Sequence, residues 1–342
     1  MSVKDIRKEF EGLDLVGKLE ETKEGNYLIQ DLGLFSRGTS SVPNARVADI
    51  TAAEESKLES VSRYGTDTNH MKASSAVFRD AEIPVFHETG MVRPHDWQPL
   101  ISPQTNQSMA ITEVILQRAT QFERDYRRTV ETSLAEALFE RKVTAPHTSD
   151  GDISFDAAFG VSPGSFVLDA SADASVYQAL AKLRRQVAQA LGGARNYSDR
   201  LYVMCDSGLY DAIATNKEIQ AFILHSVQQA QISGAVIPNA LSGFNTMSLG
   251  PVTFIDLAGD PTYPVEENSG LVVPRMTNPD VSFLRRIAGP CSRNQSLAVK
   301  GGIKDRYGWT SVDDDGMIKM QSEFSLLPLL LRPQWLTTIT LK

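Results

Sequence analysis

The stretch ITEVILQRATQFERDYRRTVETSLAEALFERKVTAP, Ile111 to Pro146, decides the fold. Its apolar and aromatic residues, Ile111, Ile115, Ala119, Phe122, Tyr126, Val130, Leu134, Leu138 and Val143, recur in steps of three to five, the spacing of one face of an α-helix. The opposite face is charged. No Gly or Pro interrupts the chain between Gln104 and Ala145, and Pro146 supplies a stop because its ring disfavours helical geometry at the residue before it. The spacing predicts one helix over 109–144, where the ordinary mean is about 11 to 12 residues. At 1.5 Å per residue, some thirty residues extend ~45 to 50 Å. A compact domain of 100 to 150 residues is only about 35 to 38 Å across, so such a rod overhangs any single core of that size.

The rest of the chain is ordinary in composition. It has 342 residues, 42% hydrophobic and 22% charged, enough for one large core or two modest ones. The opening MSVKDIRKEFEGLDL is charged throughout, with no apolar run after a basic one. The longest greasy run, Leu326 to Leu331, is broken by Pro328 and falls far short of the ~20 residues a bilayer span needs. A soluble intracellular product without a membrane partner is expected. Two cysteines, Cys205 and Cys291, make neither a disulfide framework nor a metal site. Formal net charge is −8 and the basic residues are scattered along the chain, so tight binding to a phosphate backbone is not expected.

Around the rod the organisation is unusual. Residues 1–34 read as an arm with too few apolar side chains to close a core. Residues 45–98 read as two extended arms around a turn near Gly65, with Phe78, Ile83, Val85, Phe86 and Trp97 as their main large apolar groups. A two-stranded ribbon of that kind is marginal alone, which makes those five residues candidates for a subunit interface. After the rod come a loop region with a short hairpin, a helix with Val176, Leu180, Leu183, Val187 and Leu191 on one face closed by Gly192-Gly193, and a strand LYVMCDS. Strands VTFIDL, GLVVP and SFLRRI follow, then a hairpin over Asp315-Gly316 and a β-branched terminal strand LTTITLK. Helix and strand mix without a regular βαβ period, which argues α+β. Arm, ribbon and rod each carry apolar surface without an evident partner in their own chain. A subunit completed by assembly is expected.

Chemistry is sparse. Gly160-Val161-Ser162-Pro163-Gly164 fits the G-x-S-x-G pattern of a serine hydrolase, but the residue after the serine must donate its backbone N–H to an oxyanion and open a helix. Pro163 has no N–H, and GSFVLD reads as strand. The histidines His70, His87, His95, His147 and His225 show no spacing that places two on one helix face as metal ligands, and Asp313-Asp314-Asp315-Gly316 is too compressed for a calcium loop. No catalytic residue, cofactor or metal is expected.

The last 140 residues carry a resemblance. GLVVPRM followed by VSFLRRIAGP, and the ending KDRYGWTSVDDDGMIKMQSEFSLLPLLLRPQWLTTITLK, resemble the major capsid proteins of tailed bacteriophages, the lambda-like E family. LYVMCDSGLYDAIATNKEIQAFI matches that family's strand, small-residue turn and helix, and the rod lies where its spine helix belongs. The resemblance implies the Hong Kong 97 (HK97-like) capsid fold, with an N-terminal arm at 1–34, an extended loop at 35–98, a peripheral domain at 99–195, an apical domain at 196–308 and a return to the peripheral domain at 309–342. It implies a subunit that assembles with itself into hexamers and pentamers of an icosahedral head, located in the virion and built in the host cytoplasm. Portal, scaffold and decoration proteins would be its partners, with double-stranded DNA packaged inside and not tightly bound. Some members cross-link through lysine and asparagine; Lys57 and Lys72 lie in the extended loop, but no cross-link is expected here. The alternatives are an encapsulin-type shell around a protein cargo and, more remotely, a hydrolase using Ser162.

Overall fold

The computed structural model describes residues 2–16, 27–46, 80–101, 106–171, 174–220, 243–299 and 302–342. Helix α1 (Val3–Phe10) opens on a capping box, Ser2 accepting from the Asp5 N–H while Asp5 accepts from the Ser2 N–H. Helix α2 (Leu28–Leu32) leads to strands β1 (Ser36–Thr39) and β2 (Asn44–Arg46). Strands β3 (Asp80–Glu82) and β4 (Val85–Val92) and a turn of helix, α3 (Pro94–Trp97), precede the rod.

The rod is α4 (Gln107–Ala135), capped by Asn106, whose side chain accepts from the Met109 N–H at 2.8 Å. It runs on as a π-helical turn, Glu136–Glu140, so the whole is ~50 Å long. It begins two residues before the expected 109–144 and ends four residues before it. The stop is Arg141, which takes left-handed geometry at φ 54 and is held there by its Nε on Asp156 at 2.8 Å. Pro146 lies beyond the stop. Val143 instead belongs to strand β5 (Lys142–Val143), paired with β6 (Ile153–Ser154), so the hairpin after the rod takes its first strand from residues expected to be helical.

Helix α5 (Phe155–Phe159), strand β7 (Gly164–Leu168) and helix α6 (Val176–Leu191) follow. Helix α6 buries Val176, Leu180, Leu183, Val187 and Leu191, and stops at Gly192, whose φ of 55 favours a residue without Cβ. Then come β8 (Ser198–Cys205), α7 (Ser207–Ala214), β9 (Asn245–Leu249), β10 (Val252–Asp256), β11 (Ser269–Met276) and β12 (Leu284–Ala288). The chain closes with β13 (Tyr307–Val312), β14 (Ile318–Ser325), β15 (Leu327–Leu330) and β16 (Thr337–Leu341). The β13–β14 hairpin turns over Asp315-Gly316 as its sequence predicts.

The strands form a mixed six-stranded sheet in the order β7-β16-β11-β8-β10-β9 and two three-stranded sheets, β1-β12-β15 and β13-β14-β4. The terminal strand β16 sits inside the six-stranded sheet, parallel to β7 and antiparallel to β11. Boundaries drawn at 195 and 308 therefore cut through one sheet, and 337–341 do not return with β13 and β14.

Two apolar cores lie along the rod. The N-terminal half of α4 gives Ile111, Val114, Ile115, Ala119 and Phe122 to a smaller core with Phe10, Leu15, Val92, Ile318 and Met320. Gly90 lets β4 come close there, since a Cβ would meet the Phe122 ring at 3.3 Å. The C-terminal half gives Val130, Leu134 and Leu138 to the larger core, which extends under the six-stranded sheet. The expectation that arm and rod lack partners in their own chain is corrected. Phe10 and Leu15 fill the smaller core, Leu28, Ile29, Leu32 and Leu34 the larger, and the rod's stripe is covered throughout.

Candidate assembly surfaces

The two described residues that flank 47–79, Arg46 and Asp80, lie opposite each other. Strands β2 and β3 pair antiparallel, Asn44 opposite Glu82, Ala45 opposite Ala81 and Arg46 opposite Asp80. Both alanines are buried, and the Ile83 N–H donates to the Pro43 carbonyl. The 145–152 turn locks this base from outside: the Ser149 N–H donates to Glu82 at 2.7 Å, and the Glu82 N–H donates to Asp150 at 2.9 Å. Hydrogen bonds from Ser149 hold the Glu82 carboxyl below the usual carboxylate range. The turn near Gly65, Phe78, Lys57 and Lys72 lie outside the described residues.

Four of the five candidate interface residues are described, and the fold divides them. Ile83 is buried in the larger core. Phe86 stacks on Phe324 with centroids 4.9 Å apart, and Trp97 packs partly buried on the smaller core. Val85, 47% exposed, presents its side chain outward. Three of the four are thus used within the subunit, and Val85 stays available to a neighbour.

Three buried carboxylates tie distant segments together. Glu131, on the rod, accepts from the Ile29 N–H at 2.6 Å, the Gln30 N–H at 3.2 Å, the Gln30 amide at 2.9 Å and the Tyr263 hydroxyl at 2.7 Å. Burial pushes its carboxyl up, and those donors oppose the shift. Burial also pushes the Tyr263 hydroxyl up, with the Glu131 charge adding to it. Glu123 meets Arg306 at 2.6 Å and Arg127 at 2.6 Å, and Arg306 lies over the Tyr126 ring. The Arg306 contact is ionic and not an aligned hydrogen bond. Glu323 accepts from Ser292 and Arg293. Arm, rod and C-terminal strands are therefore cross-linked by charge-assisted bonds in low dielectric, where an unpaired partner is costly.

The hydrolase pattern has the wrong geometry. Gly160 ends α5, Ser162 is exposed, and Gly164 opens β7, so the serine lies on a helix-to-strand turn where a nucleophile elbow needs strand to helix. Among the described residues no cluster of three His, Cys, Asp or Glu could hold a metal. No helix among them is long and apolar enough to cross a membrane.

One cluster went unread in the sequence. Folding gathers Arg184, Arg185, Arg195 and Arg200 around two adjoining clefts at one end of the six-stranded sheet. The signal was local: from Lys182 to Arg200 there are five basic residues and one acidic.

No protein-family model matches the chain, and no curated protein matches it in sequence. Its fold does have relatives. A prophage protein of Escherichia coli CFT073, assigned as its capsid protein, superposes with a TM-score of 0.55 at 10% identity, over 97% of this chain and 99% of the other. The capsid of cyanophage P-SCSP1u gives 0.49 at 12% identity, over 96% and 91%. The SrpI encapsulin of Synechococcus elongatus PCC 7942 gives 0.36 at 12% identity, over 77% and 75%. At such identities the likeness concerns the fold, and the first superposition carries it. The described residues are built on the HK97-like capsid fold, α+β as the sequence predicts.

Proposed function

We propose that the chain is the major capsid subunit of a tailed bacteriophage, assembling with itself into hexamers and pentamers of an icosahedral head around double-stranded DNA. The observation that supports this most is the match with the prophage capsid protein over 97% of one chain and 99% of the other. The rod fits the role as well. One stiff element serves two cores, so load applied at one end of the subunit reaches the other. On this reading the arm is residues 1–34, the loop excursion 35–98 reaches over a neighbour, and the segments around α4 and around the six-stranded sheet serve as peripheral and apical domains. The lambda-like grouping rests on the C-terminal segments quoted above. Portal, scaffold and decoration proteins, assembly in the host cytoplasm and a place in the virion belong to the same proposal. So does a structural role without catalysis.

Electron microscopy of the expressed chain, alone and with a co-expressed scaffold, tests it. Closed shells or rings of five and six are expected, and particles from infected or induced cells should hold nuclease-protected DNA. Shells filled with protein and free of DNA would favour the encapsulin-type reading. A chain that stays monomeric under every condition would refute both.

A further inference from the structure

Several arginines are engaged inside the subunit: Arg37, Arg127, Arg141, Arg275, Arg286 and Arg306 each meet a carboxylate. Four neighbours are not. Arg184 and Arg185 on α6, Arg195 in the turn after it and Arg200 in β8 are exposed, and none has a side-chain partner among the described residues. Arg184, Arg195 and Arg200 line a cleft of about 310 Å³, and Arg185 and Arg195 a broader depression of about 580 Å³. Ala188, Arg195 and Asn196 belong to both, so the four cations face one surface. The negative end of the α6 dipole does not explain them. Its pull fades within the last turn, and Arg200 lies on a strand.

The opposite end of the same sheet carries the opposite sign. Strands β8 and β10 run parallel and finish together, Cys205 beside Asp256, with Asp206 next in the chain. Strand β11 starts there, Gly270 opposite Cys205, preceded by Glu266 and Glu267. Asp206 and Asp256 are occupied as caps of the Gly208 and Ala258 N–H groups. Glu266 and Glu267 are exposed, without a side-chain partner among the described residues. Copies with a net charge of −8 repel one another, and any contact that sets like faces together adds to the repulsion. A head-to-tail contact sets the unpaired cations against the unpaired anions, and contacts of that kind, repeated by rotation, close rings.

We infer that the face formed by Arg184, Arg185, Arg195 and Arg200 docks the Glu266–Glu267 face of a second copy in a heterologous contact within each ring. This rests on the shell-subunit reading, and the test separates the two. The full chain is compared with Arg184→Glu/Arg195→Glu, Glu266→Arg/Glu267→Arg, the chain carrying all four changes, and an equimolar mixture of the two double variants. Assembly is followed by sedimentation velocity and negative-stain microscopy at 50 and 500 mM NaCl. All four residues are exposed, so every variant should melt within about 2 °C of the parent. Each double variant should lose at least ~10-fold in ring fraction at low salt, and the fourfold swap should recover part of it, as expected of paired charges screened by salt. The equimolar mixture should form pairs, because the first variant keeps its Glu266–Glu267 face and the second keeps all four arginines, while each has lost the face needed to pair with itself. A mixture that stays monomeric sinks the inference and leaves the shell reading standing. So does unchanged ring formation by Arg184→Glu/Arg195→Glu, or that outcome together with loss of binding to a 30-base-pair duplex, which would assign the face to a phosphate backbone. A parent that associates head to tail but never closes shells tells against the shell reading and supports the contact.

Discussion

Glu131 sits in the C-terminal half of the rod with four donors aimed at its carboxylate, and two of them are backbone N–H groups of the arm. Glu131→Ala leaves those donors buried and unanswered, at about 1 to 3 kcal/mol for each unsatisfied group. Urea denaturation should show a loss of about 3 kcal/mol, and proteolysis should cut the 27–34 segment sooner. A loss under ~0.5 kcal/mol would mean that water replaces the carboxylate and that the arm is held by its leucines alone. His87 makes a pH prediction. Its Nε2 is buried without a partner, and burial, followed by the nearby Arg293 charge, lowers its pKa, while Glu323 across the strand pair opposes that. A histidine with a depressed folded pKa stays neutral where the unfolded chain already takes up a proton. Its contribution is therefore complete above the unfolded value, about 6.5, and is lost as pH falls below it. The melting temperature should drop between pH 7 and pH 5, and His87→Gln should flatten that slope; an identical slope in the variant would place the titration elsewhere.

The rod is the element on which fold and sequence agree best, because a 3.6-residue period sustained over eight turns has no rival reading. Leu134 is 1% exposed in that stripe. Leu134→Asp removes a buried side chain, worth about 2 to 5 kcal/mol, and asks a carboxylate to lose its water, several kcal/mol more. Against a usual total of about 5 to 15 kcal/mol, the chain should be recovered insoluble. A soluble, folded variant would mean that the stripe faces solvent. The rod's end was less legible. Arg141 takes a left-handed turn that a glycine would have announced, and what holds it there is Asp156, on the next helix. The same limit hid the arm's packing. Phe10 and Leu15 are two apolar residues in a charged stretch, and they find their core only because the Phe10 carbonyl and the Gly12 N–H meet Thr310, some 300 positions away. Strand identities were readable from local pattern, whereas the placing of β16 between β7 and β11 is a long-range pairing that no window contains.

At the scale of the whole molecule, the assembly reading assigns the loop between Arg46 and Asp80, an excursion on that reading, to a neighbouring copy and not to the subunit's own packing. Its base is closed by β2, β3 and the Glu82, Ser149 and Asp150 bonds, all of which lie outside the excursion. Of the described apolar residues beside it, Ile83 and Phe86 are committed to the chain's own core, and Val85 alone faces outward. Stability and assembly should therefore separate here. Removing Ser60 to Ser75 and joining the ends with a short Gly-Ser turn spares the clamp, so the melting temperature of the isolated subunit should move by no more than about 2 °C. If the excursion lies over a neighbour, each large apolar group buried there is worth on the order of 1.5 to 3 kcal/mol, lost at every contact in a shell. The deleted chain should then elute as monomers or loose rings from a sizing column under conditions in which the full chain closes shells. A deleted chain that melts far lower, while its survivors still close, would place the excursion against its own subunit.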